Sequence, residues 1–291
     1  MKFLQLTTLA SVALALPSDL SSRQTCTSPK LRKSWSKATT AEKTAYLNAA
    51  VCVTKKASKL GINANAKLHD DFAYVHAVLS RSPQKSERSF PILPLGNPLK
   101  TPNLYLHANL VHQFAGFLPW HRFFVHVYEN ALKDCGYTGT AMYWDWVADS
   151  AAPQNSAVWD AVTGFGGNGV SDGTNGPRKR VTNGPFKDYK PQYWNDEVSS
   201  HWLSRDWMPA DAENSGIAIN GDDYTAAKVA EATALTSYDA FRAKLEDGPH
   251  AAVHLGVGGG GRGLGDMGTQ NASPNGTSKP PFPSPEYGRE R

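Results

Sequence analysis

The apolar residues between positions 119 and 133 are spaced as they are in a helix. Val125, Tyr128 and Leu132 recur at steps of three and four residues, so they share one helical face. Pro119 disfavours helical geometry in the residue before it and suits the first turn of a new helix. We therefore predict a helix over residues 119–133 with its apolar face buried.

Three further helices are expected from the same periodicity and from capping residues. They cover residues 39–60, opened by a Thr39–Glu42 capping box, residues 69–79, and residues 223–246, capped by Asp222 or Asp223. Residues 151–219 are rich in Gly, Asn, Pro and Trp, which predicts long loops with short helices. The predicted fold class is mainly α, with a four-helix-bundle core and long loops.

Composition indicates one secreted globular domain. Residues 1–18 carry an early Lys, an apolar run over 4–16 and then small residues, which is the layout of a signal peptide. The rest of the 291-residue chain suffices for one domain with a sizeable core, and no other stretch is apolar enough to span a bilayer. The net charge of +4 is spread along the chain, so neither nucleic acid nor a membrane is an expected partner.

Two pairs of histidines suit a metal centre. His250 and His254 are four residues apart, so one helical face would present both imidazoles. On one unbroken helix, His112 and His121 would point in opposite directions, and a new helix near Pro119 is what allows them to meet, with His121 in its first turn. Neutral imidazole is the usual protein ligand for copper and zinc. The sequence therefore predicts a paired metal site.

The residue after His250 separates this pattern from that of a zinc protease. Such a protease places a Glu directly after the first His as its general base. This chain has Ala251 at that position, so we discard a peptidase function.

Four segments around the histidines carry a family resemblance. They are FLPWHRFFVHVYENALKDCGYTG with MYWDW after it, DDFAYVH upstream and GPHAAVHLGVGG downstream. Over about residues 26–275 the chain resembles the short secreted fungal tyrosinases and catechol oxidases. The resemblance implies a copper-binding domain with two copper ions, and an oxidoreductase that uses dioxygen to convert phenols, o-diphenols or o-aminophenols to o-quinones. Its expected partners are a small phenolic substrate and dioxygen.

The same resemblance assigns copper ligands. It implies His76, His112 and His121 for the first copper and His250 and His254 for the second. His107 is the alternative to His76, which is preferred because it ends the DDFAYVH segment. No catalytic residue is assigned beyond the ligands. Family members that hydroxylate monophenols often carry Asn where this chain has Ala251, so diphenols or aminophenols are the favoured substrates.

The chain departs from the family pattern in two places. Residues 77–110 are a longer insert than usual, and residues 276–291 form a proline-rich tail, expected to be disordered, where the family has a helix with a further ligand. No histidine follows His254, so a truncated C-terminus and an incomplete second copper site are expected. We hypothesise that both segments are translated introns. The competing hypothesis for function is an impaired or non-enzymatic protein that binds copper or dioxygen.

Other polar residues receive simpler interpretations. His126 lies about 140° around the helix from the histidine five residues before it, so it should pack or face solvent. His69 and His201 are expected at the surface. For Arg122 and Glu129, ligand orientation and a structural ion pair both remain open.

Cysteines and sequons fit an oxidising compartment. We expect a Cys52–Cys135 disulfide, because it would join two helices, and this leaves Cys26 without a partner. Asn271 and Asn275 begin two sequons, which a secretory route would make available for glycosylation.

Overall fold

The computed structural model describes residues 29–80, 111–176, 178–194, 197–207, 219 and 221–258. Six α-helices lie within these residues: α1 (Thr40–Val53), α2 (Leu68–Leu79), α3 (Phe117–Lys133), α4 (Ala226–Thr233), α5 (Tyr238–Leu245) and α6 (Ala251–Gly258). A two-stranded antiparallel sheet pairs β1 (Tyr193–Trp194) with β2 (Glu197–Val198). The predicted mainly α class is confirmed, while the four-helix bundle stays a prediction. His107, Cys26, both sequons and the leader and tail segments lie outside the described residues.

Helix α1 begins as predicted and ends earlier. The Thr39 hydroxyl accepts the Glu42 N–H at 3.2 Å and the Glu42 carboxylate accepts the Thr39 N–H at 2.8 Å, so the capping box is confirmed. The helix stops at Val53, however, and the prediction that it reaches Leu60 was wrong. Beyond the helix, the carboxylate of Asp71 in α2 accepts the backbone N–H groups of Lys59 at 2.6 Å and Leu60 at 3.4 Å. That tertiary contact replaces further helical hydrogen bonds.

Helix α3 begins two residues before the predicted start. Its first residue is Phe117, and Pro119 takes the third position, where an N–H group has no partner inside the helix. His121 consequently lies at the start of the second turn rather than in the first. His112 precedes the helix, so the prediction that these two histidines occupy different elements is confirmed.

The predicted helix over residues 223–246 is two helices. Thr225 caps α4 by accepting the N–H of Lys228 at 3.3 Å, and Ser237 caps α5 by accepting the N–H of Ala240 at 3.2 Å. Asp222 and Asp223 lie in a short 3-10 turn, so their prediction as caps was wrong. Ser237 favours a break here, because its hydroxyl bonds to the backbone and starts a new helix instead of continuing α4.

The core is aromatic and lies beside the α1–α3 pair. Trp35 packs on Phe165 with ring centroids 4.9 Å apart, and Tyr46 of α1 packs on Tyr137 at 5.2 Å. The predicted disulfide between Cys52 and Cys135 is present and joins α1 to the residues just after α3. Within the described ranges, no helix combines the length and apolar character that crossing a membrane requires.

Candidate metal centre

Three histidines from separate parts of the chain meet in the interior. His76 comes from α2, His112 from the segment before α3, and His121 from α3. One ring nitrogen from each lies within 4.8 Å of the others, and the Nε2 atoms of His76 and His121 are 3.3 Å apart. Each of these residues is at most 3% exposed. Three nitrogens at this separation could converge on one ion.

The second pair of histidines lies against the first cluster. The Nε2 atoms of His250 and His254 are 3.0 Å apart, and both rings are buried. The ring centroid of His250 is 5.8 Å from that of His112 and 6.3 Å from that of His121. The structure therefore brings all five histidines of the preferred ligand set into one site.

Backbone carbonyls orient two of these rings in the same way. The Nδ1 atom of His121 lies 2.8 Å from the carbonyl of Phe117, and that of His250 lies 3.1 Å from the carbonyl of Glu246. A carbonyl only accepts, so each Nδ1 carries the proton and each Nε2 keeps a lone pair. This is the arrangement that presents neutral imidazole to a metal.

Aromatic side chains surround the histidines. Phe117 lies between the two clusters, with its ring centroid 4.7 Å from His121 and 4.9 Å from His250. Trp120 and Phe124 stack at 4.9 Å, and Trp120 contacts the His76 ring at 5.8 Å. These rings enclose the histidines in an apolar environment.

Sequence reasoning missed one residue, Glu246, that contacts both halves of the site. Its carboxylate accepts the backbone N–H of Gln113 at 2.7 Å and pairs with Arg242 at 2.7 Å, while its carbonyl faces His250. Burial raises the pKa of Glu246, and these partners act in the opposite direction. The sequence signal was an acidic residue four positions before His250 with an arginine four positions before that.

His69 and His201 are buried, so their prediction as surface residues was wrong. His69 lies among aromatic rings, with its Nδ1 3.4 Å from the Tyr128 hydroxyl, and burial lowers its pKa to about 4. His201 donates from Nδ1 to the Ser199 carbonyl at 2.6 Å and packs on the Trp194 ring. Contacts with residues distant in sequence, Tyr128 and Tyr189, surround the His69 ring, whereas His201 is packed by residues of its own hairpin region.

Two further polar residues of α3 lie away from the histidine cluster. His126 is exposed, as predicted. Glu129 is buried, pairs with Lys133 and with Arg32 at 3.7 Å, and accepts the N–H of Ala141 at 2.9 Å. Of the two alternatives for Glu129, the structural ion pair is the one present.

Residues 66–277 match the model of the tyrosinase family, which is described as the common central domain of tyrosinase. The chain belongs to the tyrosinase family. Copper is the metal that the family implies for the three-histidine cluster, and a neutral, buried set of imidazoles fits copper chemically.

Similarity to individual proteins agrees with the family. The chain is 30% identical over 238 residues to the tyrosinase-like protein phomQ2 of Diaporthe leptostromiformis, covering 80% of this chain and 52% of that protein. It is 29% identical over 237 residues to the tyrosinase ustQ of Aspergillus flavus, covering 80% of this chain and 57% of that one. The chain thus spans about half the length of the curated relatives it matches.

A solved structure shares the fold. A mutant polyphenol oxidase from Thermothelomyces thermophila matches with a TM-score of 0.57 and 24% identity, covering 79% of this chain and 62% of the other. The similarity supports the mainly helical tyrosinase-type fold.

Proposed function

We propose that this protein oxidises phenolic compounds to o-quinones with dioxygen, using copper. The observation that carries the proposal is the buried cluster of His76, His112 and His121 beside the His250–His254 pair, in a chain of the tyrosinase family. We assign the first three histidines to one copper ion and the other two to a second. Bound copper would supply the electron transfer between the phenol and dioxygen.

The protein's own residues would orient the ligands and keep the site dry. The carbonyls of Phe117 and Glu246 hold His121 and His250 in the tautomer that presents Nε2. The rings of Phe117 and Trp120 pack against the histidines and limit the access of water. These features support metal binding in a preformed pocket.

We further propose that o-diphenols and o-aminophenols are better substrates than monophenols. Ala251 follows His250 and has no polar side-chain atom, so it cannot hold a water that would take a proton from a monophenol. A diphenol oxidation does not require that hydroxylation step.

Secretion is part of the same proposal, with residues 1–18 as the signal peptide and residues 26–275 as the copper-binding domain. The Cys52–Cys135 disulfide supports it, because such bonds persist in oxidising compartments. The apolar run over residues 4–16 supports it independently.

A second candidate function is copper or dioxygen binding without turnover. Within the described residues, three imidazoles form the first cluster and two form the second pair. A site with fewer ligands holds its ion more weakly, and a single copper ion would not support the proposed oxidation.

Copper content and oxygen uptake distinguish the two candidates. The purified full chain would be loaded with Cu²⁺, assayed for metal per chain, and mixed with catechol or o-aminophenol in an oxygen electrode. Two copper ions with oxygen uptake support the oxidase. One ion without uptake supports the binding protein and rejects the oxidase.

Two substitutions on α3 provide a matched pair for this experiment. His121→Asn removes a proposed ligand and should abolish oxygen uptake, whereas His126→Asn alters an exposed histidine of the same helix and should leave uptake unchanged. Equal uptake in both variants would reject the assignment of His121.

A further inference from the structure

Glu246 contacts both halves of the histidine site through separate atoms. Its carboxylate oxygen Oε1 accepts the backbone N–H of Gln113 at 2.7 Å, and Gln113 directly follows His112. Its backbone carbonyl accepts Nδ1–H of His250 at 3.1 Å. One residue is therefore hydrogen-bonded to the chain beside a ligand of the first cluster and to a ligand of the second pair.

The backbone at Gln113 requires an external restraint. Gln113 has a φ of 57°, a left-handed backbone conformation that residues other than glycine rarely adopt. A residue persists in such a conformation when its surroundings compensate for the strain. The charge-assisted hydrogen bond from its N–H to Glu246 is a contact of that kind.

Glu246 is itself held firmly. The Arg242 guanidinium, one helical turn earlier, lies 2.7 Å from Oε2, and the Glu246 side chain is only 3% exposed in this ion pair. Residues 246–250 form a π turn with a non-helical Gly248 followed by Pro249, which directs the chain into α6. The carboxylate is therefore fixed relative to both α5 and the start of α6.

We infer that Glu246 is a positioning residue that sets the placement of His112 relative to His250, through the hydrogen bond from Gln113. The inference rests on the proposed copper site but not on its oxidase activity. It assigns no proton transfer to Glu246. The role depends mainly on a side chain long enough to accept the Gln113 N–H, and the charge on the carboxylate contributes less.

Two substitutions separate the effect of side-chain length at position 246 from the effect of its charge. Glu246→Gln keeps a side-chain oxygen at the same distance from the backbone and loses the charge that pairs with Arg242. Glu246→Asp keeps the charge and is one methylene shorter, so it cannot reach the Gln113 N–H in the same way. A role limited to the ion pair predicts that Asp is the milder change, whereas a positioning role predicts that Gln is.

The measurement is the affinity for the first equivalent of Cu²⁺, by titration of the full chain against a competing chelator. We expect Glu246→Asp to weaken binding about 10- to 100-fold, the usual effect of losing a contact that orients a metal ligand, and Glu246→Gln to weaken it less than about threefold. Thermal unfolding of the copper-free proteins checks that both variants fold. Glu231→Asp, at an exposed ion pair on α4, is the matched control and should keep wild-type affinity.

The outcomes separate this inference from the proposed function. Equal affinities of the two variants, or weaker binding by Gln than by Asp, would overturn the positioning role. If either variant fails to fold, both are titrated in the Gln113→Gly background, which relieves the backbone strain and should restore folding; no restoration of folding, or the wrong order of affinities there, overturns the role. If the copper affinities of the variants follow the expected order but the wild type oxidises no catechol, the positioning role stands and only the proposed oxidase function is rejected.

Discussion

At the scale of single residues, the hydrogen-bond partner of a buried imidazole decides which of its two nitrogens faces the site. His121 and His250 each donate Nδ1–H to a carbonyl four residues earlier, and this leaves Nε2 available to a metal. His69 is buried as deeply, yet it lies 3.4 Å from a tyrosine hydroxyl and is not part of the cluster. The proposed ligands and this core histidine thus differ in the groups that their rings contact.

His69 should make the folded state less stable in acid. Burial lowers its pKa from 6.5 to about 4, so between these values the unfolded chain binds the proton more readily than the folded one. The free energy of unfolding should therefore fall as pH drops from about 6.5 to about 4, by up to about 3 kcal/mol from this group.

Urea unfolding at pH 7, 5.5 and 4 measures that effect. His69→Phe removes the titrating group, so the difference in stability between wild type and variant should shift in favour of the variant as pH falls. His126→Phe is the control, because it replaces an exposed histidine and leaves His69 in place. A constant difference for His69→Phe would contradict the prediction.

At the scale of elements, helix ends were the least predictable feature. Periodicity correctly predicted α2 and most of α3, and the Thr39–Glu42 box located the start of α1, because these signals involve neighbouring residues. The non-helical residues after α1 are bound by Asp71, a contact between separate elements. Such a contact leaves no periodic signal in the sequence.

The break between α4 and α5 yields a paired prediction about caps. Ser237→Ala should lower the free energy of unfolding by about 1 kcal/mol, because it removes the hydroxyl that accepts the Ala240 N–H. Asp223→Ala should change it by less than about 0.5 kcal/mol, since Asp223 is exposed and caps no helix. Chemical unfolding of both variants measures the two values, and the reverse order would favour one long helix.

The disulfide should stabilise the α1–α3 pair strongly. Cys52 and Cys135 are 83 residues apart, and closing a loop of that length restricts the unfolded chain by about 4 kcal/mol. The double variant Cys52→Ala, Cys135→Ala should therefore lose on the order of 4 kcal/mol of unfolding free energy in urea. A reducing agent should destabilise the wild type and leave the double variant unaffected. Loss below about 1 kcal/mol would indicate that the α1–α3 packing suffices alone.

At the scale of the whole molecule, the site joins parts of the chain that are distant in sequence. The histidine pattern and the family resemblance together predicted which side chains converge, because the spacing of HAAVH and of the two histidines around Pro119 is visible locally. Glu246 was not predicted, since its partner Gln113 lies 133 residues away. The burial of His201 against Trp194 was missed for a different reason, because the two residues are near in sequence but meet only through the pairing of β1 with β2.

Copper should accordingly stabilise the entire fold. His76 belongs to α2 and His121 to α3, so the ion proposed for the first cluster can be held only when these two helices are assembled. A ligand that binds the folded state alone adds about 2.7 kcal/mol at a free concentration 100 times its dissociation constant. For a domain of this size that corresponds to an increase in melting temperature of roughly 5–10 °C. Thermal unfolding with Cu²⁺ and after chelation measures the increase, and His121→Asn should reduce it while His126→Asn keeps it. A variant without His121 that still gains the full increase would show that copper is bound elsewhere on the chain.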